Sequence, residues 1–327
     1  MKYRKLGNTG LDVSVLSFGA SSLGSVFRQT DDNESIRTVH AAIDAGINLI
    51  DVSPYYGLTK AETVLGKALQ SIPRDKYLLS TKAGRYGEDT FDFTAKRIYS
   101  SVQESLNRLQ TDYLDILFLH DIEFVSPGII LEEAVPALHR LIEQGIIRYG
   151  GISGLPLQLF ERILPQIDID MILSYCHYSL NDTSLLDLLP LLQEREVGLV
   201  NASPLSMGLL SGQGMPDWHP ADARVKAVCQ QAIDYCASQG EDIAKLAVQF
   251  STHNELIPTT LVSTANCENI VNNARWTDEP LNEALLNKVL EILAPIHNES
   301  WRSGLEEYNE QRRNSGSVEP IEGGRKA

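Results

Sequence analysis

Four side chains with acid–base chemistry stand at or just after the ends of short apolar segments: Asp51 ends "INLID", Tyr56 follows five residues later, Lys82 ends "YLLSTK" and His120 ends "YLDILFLH". A phenol has a pKa of about 10, and a neighbouring ammonium stabilises the phenolate and lowers that pKa. A buried lysine needs a counter-ion, and Asp51 is suited to that role. With an imidazole that hydrogen-bonds a substrate oxygen, this set predicts proton transfer to or from a carbonyl or alcohol oxygen.

Each of these residues also has an ordinary structural interpretation. An aspartate at a strand end is often a helix N-cap, a single histidine is often a hydrogen-bonded core residue, and a lysine can be solvated at a rim. Taken singly, the structural interpretation is favoured for each. Four consistent residues on three consecutive strand ends favour catalysis, although a lysine in such a place leaves a Schiff-base aldolase as an alternative.

The chemistry-bearing residues belong to a repeated alternation between residues 15 and 265. Short β-branched apolar segments recur as "VLSFGA", "INLID", "YLLSTK", "YLDILFLH", "IRYGGIS", "MILSYC", "GLVNASP" and "TTLVST". Amphipathic helical segments are predicted at 35–45, 62–71, 94–109, 130–144, 156–166, 184–195, 242–253 and 267–274. Three of them are followed by a glycine where a left-handed residue ends a helix, namely Gly46, Gly145 and Gly198. About eight such units predict an α/β protein with a (β/α)8 TIM barrel rather than a doubly wound sheet.

Additional elements are predicted at both ends of this repeat. "YRKLGNTGLDVS" predicts a hairpin with its turn at 8–10, which we expect to close the barrel bottom. A loop at 207–220 and an extra helix at 222–238 interrupt the repeat, and a further helix lies near the C-terminus. No linker divides the chain, so we predict a single domain over residues 1–305 and a polar, flexible tail over 306–327.

Composition argues against several classes of partner. Lys+Arg 28 against Asp+Glu 43 gives a net charge of -15, which would repel nucleic acid and anionic membrane surfaces. No signal peptide or run of about 18 apolar residues is found, so a cytoplasmic protein is expected. The 4 cysteines lack CxxC spacing, so we predict small core residues and no metal site. A small-molecule substrate is the expected partner, and the oligomeric state stays open.

The strand-end motifs resemble those of the aldo-keto reductase superfamily. "LSFGASSLG", "GINLIDVSPYYG", "STK", "LDILFLH", "GGIS" and "ASPLSMGLL" match its successive motifs in order, over residues 3 to about 304. The resemblance implies a barrel that binds a nicotinamide cofactor without a Rossmann domain. It also implies that Tyr56 is the general acid/base and that Asp51 and Lys82 activate it. His120 is implied to orient the substrate. Tyr55 is then a loop or packing residue.

The same resemblance implies that the cofactor lies across the barrel mouth. The residues implied to contact it are Ser153, Ser174, Ser203, Leu205, Gly208, Leu210, Ser263, Asn269 and Asn273. Where the family has asparagine, glutamine and an aromatic residue around nicotinamide, this sequence has Gly154, Ser174 and Ala202. Members that prefer NADP carry Lys or Arg after the eighth strand, but residues 258–274 contain none. NAD is therefore expected as the cofactor rather than NADP.

Further motifs resemble the aldose 1-dehydrogenase branch of this superfamily, which acts on sugars such as L-galactose, L-fucose or D-arabinose. They are "GISGLPL", "ILSYCHYSLNDTSLLDLLPLL", "NASPLSMGLLSGQG" and "NESWRSG". The implied reaction is NAD-dependent oxidation of an L-galactose or L-fucose type sugar at C1 to the lactone, with Tyr56 taking the hydroxyl proton. His177, Tyr178 and Trp301 are candidate substrate-binding residues, with packing at the rim as an equal alternative. Two other functions stay open: NADPH-dependent reduction of small aldehydes or ketones, and a non-catalytic, cofactor-binding regulatory subunit.

Overall fold

A closed barrel of parallel strands forms the centre of the protein in a computed structural model that describes residues 1–215 and 218–309. The strands in this part of the chain are β1 (Tyr3–Lys5), β2 (Asp12–Ser14), β3 (Leu16–Gly19), β4 (Leu49–Asp51), β5 (Leu78–Ala83), β6 (Leu114–Leu119), β7 (Ile147–Gly154), β8 (Met171–Tyr175), β9 (Gly198–Ala202) and β10 (Thr259–Ser263). Strands β3 to β10 close in the order β10-β3-β4-β5-β6-β7-β8-β9, every neighbouring pair being parallel. The predicted (β/α)8 barrel is confirmed.

Strands β1 and β2 form the predicted N-terminal hairpin, with Tyr3 paired to Ser14. Apolar side chains of the hairpin pack into the barrel interior beside those of the strands: Leu6, Leu11 and Val13 with Leu49, Ile116, Phe118, Met171, Leu173, Val200 and Leu261. A Cβ added at Gly7 would lie 2.5 Å from the backbone nitrogen of Gly198, at the start of β9. The hairpin therefore closes the end of the barrel where the strands begin, and the other end is left for chemistry.

Helices cover the outside of the barrel over the described ranges. They are α1 (Asp32–Asp44), α2 (Lys60–Leu69), α3 (Ala95–Leu109), α4 (Pro127–Ile129), α5 (Val135–Glu143), α6 (Leu157–Ile163), α7 (Leu189–Glu194), α8 (Ala223–Ser238), α9 (Ile243–His253), α10 (Cys267–Trp276) and α11 (Glu283–Leu293). Side-chain oxygens accept N–H bonds at the start of six of them: Asp31, Thr94, Asp222, Asp242, Asn266 and Asn282. These caps satisfy backbone donors that the first helical turn cannot pair, which explains why the sequence starts helices there.

Two predicted helices are interrupted. The segment 130–144 begins as a π-helical stretch, Ile130–Ala134, between α4 and α5. The segment 184–195 begins as a 3-10 turn, Ser184–Leu188, before α7. Pro190 stands in the first turn of α7 and has no N–H to continue an α-helical ladder from the preceding turn, so the regular helix begins late.

Two of the three glycines expected to end helices in a left-handed conformation do so. Gly46 has φ 89° after α1 and Gly145 has φ 71° after α5. Gly198, in contrast, is the first residue of β9, and the left-handed residue after α7 is Glu196 with φ 57°. The expectation for Gly198 is therefore wrong; the strand begins two residues beyond the turn.

The C-terminal elements form a second apolar cluster outside the barrel. Helices α8, α9 and α11 contribute most of its buried residues, and Trp301 packs against the cluster. The packed chain continues past residue 305, because Glu306–Tyr308 forms a 3-10 turn in which Tyr308 is 2% exposed. The rest of the predicted tail, 310–327, lies outside the described residues. Among the helices of the described ranges, none is long and apolar enough to cross a membrane.

Candidate active site

An ion pair lies inside the barrel where β4 and β5 end. Inward-facing residues alternate along each strand, so Asp51 follows Leu49 toward the interior and Lys82 follows Ser80. Lys82 forms a salt bridge with Asp51 Oδ2 and donates to the Val52 carbonyl at 3.0 Å. Ser80 Oγ donates to Asp51 Oδ1 at 2.6 Å. Both charged side chains are almost fully buried, so each needs the other.

Tyr56 lies against this ion pair. Lys82 Nζ is 4.9 Å from the centroid of the Tyr56 ring. Burial disfavours the phenolate and raises the pKa of Tyr56 to about 12, even though the charge of Lys82 pulls it down. The charge of Lys82 does lower the pKa of Tyr56, as expected, but burial raises it by more. The expectation of a pKa below the ordinary value of a phenol is therefore wrong. Burial also acts to lower the pKa of Lys82, but the charges of Asp51 and Tyr56 outweigh it and raise that pKa, so the ammonium stays charged.

His120 stands edge-on to Tyr56 at the end of β6. The two ring centroids are 5.7 Å apart with an interplanar angle of 88°. Nδ1 of His120 lies 3.0 Å from Ser53 Oγ, and Nε2 lies 3.6 Å from Asp121 Oδ2. Burial, aided by the nearby cations, lowers the pKa of His120 to about 3 despite the opposing pull of Asp121. The imidazole is therefore neutral at physiological pH and can donate one hydrogen bond without carrying charge.

A tight turn carries Tyr56 to this position. Its N–H donates to the Ser53 carbonyl at 3.1 Å, and its carbonyl accepts from the Ala61 N–H at 3.2 Å. Gly57 follows with φ 62°, and a Cβ there would lie 2.0 Å from the Gly24 carbonyl oxygen. Only glycine permits both the left-handed backbone and this close approach, which explains the "YYG" order.

Two residues that the sequence analysis missed complete the mouth. Arg85 donates to Asp121 Oδ2 at 2.6 Å and stacks over the Tyr55 ring, 4.1 Å from its centroid. It also donates to the Tyr55 hydroxyl at 3.3 Å, so this phenol is held by a guanidinium while Tyr56 faces the ion pair. Asp121 has φ 54°, and its N–H donates to Ser153 Oγ at 3.1 Å. The position of Asp121 directly after His120 could have indicated that it belongs to the site. The pattern of apolar residues, however, does not predict its left-handed backbone.

A buried carboxyl ties the mouth to the C-terminal segment. Glu123 is fully buried, and its Oε1 accepts from the Leu155 N–H at 3.1 Å and from Ser303 Oγ at 3.0 Å. The Leu305 N–H donates to the Glu123 carbonyl at 2.8 Å. Burial raises the pKa of Glu123 to about 8, with Asp121 adding to the shift. The chain after α11 is therefore hydrogen-bonded to Glu123, which lies three residues after His120 in the sequence.

Ser153 and Ser174, two of the residues implied to contact the cofactor, lie on opposite faces of the barrel sheet. Ser153 faces inward, but its hydroxyl already accepts the Asp121 N–H. On β8 the inward positions are Leu173 and Tyr175, so the two-residue period turns Ser174 toward the helices. Ser174 is fully buried and its hydroxyl has no partner among the described residues. The structure does not bring Ser174 to the mouth.

The loop after β9 contains several left-handed residues and is held by its own backbone hydrogen bonds. Ser203, Ser206, Met207 and Gly208 have φ of 61°, 46°, 54° and 108°. The N–H groups of Ser203, Ser206 and Gly208 donate to the carbonyls of Leu261, Ser203 and Leu205. The contact of Ser203, Leu205 and Gly208 with the cofactor therefore stays a prediction. Leu210 does not fit that role, because it is fully buried in the cluster of α8, α9 and α11.

The segment after β10 supplies hydroxyls and a helix N-terminus. Ser263 Oγ accepts from Ser21 Oγ at 2.8 Å and from the Ser22 N–H at 3.0 Å, at the mouth between β10 and β3. Asn269 is in the first turn of α10, with its N–H donated to Asn266, and Asn273 lies further along the same helix. Ser263 and the start of α10 thus lie at the end of β10, where the resemblance implies the cofactor.

The candidate substrate-binding residues are not equivalent. His177 Nδ1 lies 3.0 Å from Ser184 Oγ, and its buried Nε2 has no partner within the described chain. Tyr178 stacks on Phe250 at 5.3 Å and packs in the cluster between barrel and helices, so the structure does not bring it to the mouth. Trp301 meets the His219 ring edge-on at 5.0 Å. His177 and Trp301 thus stay candidates.

Known proteins resemble the chain along nearly its whole length. The sequence profile of the aldo/keto reductase family matches residues 15–294. The chain is 46% identical over 314 residues to L-galactose dehydrogenase of Arabidopsis thaliana, covering 93% of this chain and 98% of that protein. It is 37% identical over 256 residues to D-arabinose 1-dehydrogenase of Saccharomyces cerevisiae, covering 73% and 75%. The holo form of an aldo-keto reductase from Bacillus halodurans superposes with a TM-score of 0.76 at 26% identity, covering 95% of this chain and all of that one.

Proposed function

The chain belongs to the aldo/keto reductase family of oxidoreductases, and on that premise we propose that it oxidises an aldose at C1 to the lactone, with NAD as hydride acceptor. The observation that carries this proposal is the buried contact of Asp51, Lys82 and Tyr56 with His120 edge-on to the phenol. A phenol beside a fixed ammonium, and a neutral imidazole beside the phenol, suit proton exchange with one substrate oxygen.

The proton is handled by residues of this chain. The bound nicotinamide supplies the hydride acceptor. Tyr56, as the phenolate, takes the proton of the C1 hydroxyl while the C1–H bond breaks and the carbonyl forms. His120 donates a hydrogen bond to the same oxygen, and Lys82, fixed by Asp51, stabilises the phenolate. Because the pKa of Tyr56 is about 12, oxidation is expected to accelerate as pH rises above neutrality.

A polyhydroxylated substrate is supported by the charged pair beside His120. Asp121 Oδ2 accepts from Arg85 at 2.6 Å and lies 3.6 Å from His120 Nε2. A carboxylate oxygen accepts hydroxyl donors, and the hydroxyl next to C1 of an aldose is such a donor. A simple aldehyde has no such hydroxyl. The similarity to an L-galactose dehydrogenase and a D-arabinose 1-dehydrogenase points to the same substrate class.

NAD is preferred in this proposal because cations are scarce at the adenosine end. No Lys or Arg occurs in 258–274, and Arg275 is paired with Glu279 at 3.1 Å. A 2′-phosphate brought to a protein of net charge -15 without a cation would be repelled.

The test is a screen of L-galactose, L-fucose, D-arabinose and D-glucose with NAD and with NADP, followed by the absorbance of the reduced nicotinamide. The proposal predicts turnover with at least one aldose and a higher kcat/KM with NAD. Faster reduction of 4-nitrobenzaldehyde with NADPH than any aldose oxidation would support the aldehyde reductase instead. Cofactor binding without turnover of any substrate would support a regulatory subunit.

A further inference from the structure

Ser53 makes a buried contact with the back of the His120 ring. It stands two residues after β4, on the turn that leads to Tyr56, and it is fully buried. Its Oγ lies 3.0 Å from His120 Nδ1. The same Oγ accepts the Tyr55 N–H at 3.1 Å. One hydroxyl therefore touches both the imidazole and the backbone that carries the two tyrosines.

The direction of the hydrogen bond follows from counting donors. A hydroxyl has one hydrogen to donate and two lone pairs to accept with. The Tyr55 N–H can only donate, so it uses one lone pair of Ser53 Oγ. Within the described chain, His120 Nδ1 is the acceptor that remains for the Ser53 hydrogen. Nδ1 must then be unprotonated, and a neutral ring carries its hydrogen on Nε2.

The other side of the ring agrees with this assignment. Nε2 faces Asp121 Oδ2 at 3.6 Å, beyond an ordinary hydrogen-bond distance. An N–H there is attracted by the carboxylate and is still available to another acceptor. In the opposite tautomer, the Nε2 lone pair would face a carboxylate that Arg85 holds in place. That arrangement is repulsive, and it would leave the Ser53 hydrogen without an acceptor in the described ranges.

We propose that Ser53 is a positioning residue that fixes His120 in the Nε2–H tautomer, so that the imidazole donates to the substrate oxygen. The tautomer is independent of the substrate, and only the consequence for turnover rests on the proposed function. Asp121 supports the same tautomer by charge, and Ser53 by a direct hydrogen bond.

Nuclear magnetic resonance tests the tautomer directly. The protein is labelled with ¹⁵N-histidine, and ring ¹H–¹⁵N correlations are recorded near neutral pH. The sequence has 7 histidines, and the spectrum of His120→Asn identifies the signals of this one. We expect a protonated Nε2 in the native protein and a shift toward the Nδ1–H form in Ser53→Ala. A protonated Nδ1 in the native protein, or an identical ring pattern in Ser53→Ala, overturns the proposal.

Kinetics test the consequence. Losing one hydrogen bond should lower kcat for the best aldose about tenfold, with the dissociation constant of NAD unchanged, and Ser53→Thr should recover part of the loss. Ser35→Ala is the matched control, a buried serine on α1 whose hydroxyl has no partner among the described residues. An unchanged kcat in Ser53→Ala contradicts the role. If no aldose turns over, the proposed function fails, but the resonance experiment still decides the tautomer. If Ser53→Ala does not fold, the spectrum of the native protein alone decides it.

Discussion

Removing the ammonium of Lys82 together with its counter-ion should slow aldose oxidation strongly while leaving the fold intact. The double variant Lys82→Met with Asp51→Asn is preferred to Lys82→Met alone. A single substitution would leave a buried carboxylate without its cation, which typically costs about 3–5 kcal/mol of stability. The double variant removes both charges from the interior, so an activity loss can be read as chemistry.

The magnitude follows from the distance to the phenol. Lys82 Nζ is 4.9 Å from the Tyr56 ring centroid, and two unit charges at that separation interact by about 3 kcal/mol at an effective dielectric constant of about 20. Asp51 acts on Tyr56 in the opposite sense and more weakly, so the net loss of phenolate stabilisation is about 2 kcal/mol. This corresponds to about thirtyfold in rate and to a Tyr56 pKa still higher than in the native protein.

The assay is kcat/KM for the best aldose with saturating NAD between about pH 6 and pH 10, with thermal unfolding measured on the same samples. Lys76→Met is the matched control, because this exposed lysine lies just before β5, at the opposite end from Lys82. Native-like rates are expected for the control at every pH. A folded double variant that keeps kcat/KM within about threefold of the native protein would refute the electrostatic role of Lys82.

Three further predictions concern pH and backbone. Burial holds the pKa of His120 at about 3 against 6.5 unfolded, so its contribution to stability is complete above pH 6.5 and is lost as pH falls toward 3. Urea unfolding should show native stability falling about 2 kcal/mol more than that of His120→Asn between about pH 6.5 and pH 5; parallel curves argue against it. The pKa of Glu123 is raised to about 8 from 4.5, so its contribution to stability is present below pH 4.5 and is lost as pH rises through 8. Glu123→Gln should therefore show a smaller fall in Tm between pH 4.5 and pH 8 than the native protein. An equal fall in Tm in the two proteins would contradict this. Gly57→Ala should lower Tm and kcat together, because its Cβ would meet the Gly24 carbonyl oxygen at 2.0 Å; native kcat would show that this contact does not set Tyr56.

The strand-end residues were predictable because two simple rules act together. Parallel strands end on one rim, and the two-residue period points alternate side chains inward. Asp51 and Lys82 obey both rules and form an ion pair. Ser174 also lies near the end of a strand, but Leu173 and Tyr175 take the inward positions of β8. A position at the end of a strand does not by itself show whether the side chain points into the barrel or toward the helices. That direction follows from the two-residue alternation, counted from neighbours whose packing is known.

Other features of the site could not be predicted from the pattern. Asp121 reaches the mouth through a left-handed backbone, which no apolar period records, and it pairs with Arg85 from another loop. The net pKa of Tyr56 depends on how completely the protein excludes water from the phenol, and the sequence identified only the nearby charge. The motif order predicted the fold, whereas burial and loop conformation decide the electrostatics.

In the proposed reaction Tyr56, and not its neighbour Tyr55, exchanges the substrate proton. The most direct measurement compares single-turnover hydride transfer in Tyr56→Phe and Tyr55→Phe, with NAD affinity measured separately for each. We expect a loss of about a thousandfold or more for Tyr56→Phe with NAD affinity within about threefold of native, and a loss of less than about tenfold for Tyr55→Phe. Equal losses in the two variants, or near-native hydride transfer in Tyr56→Phe, would contradict it.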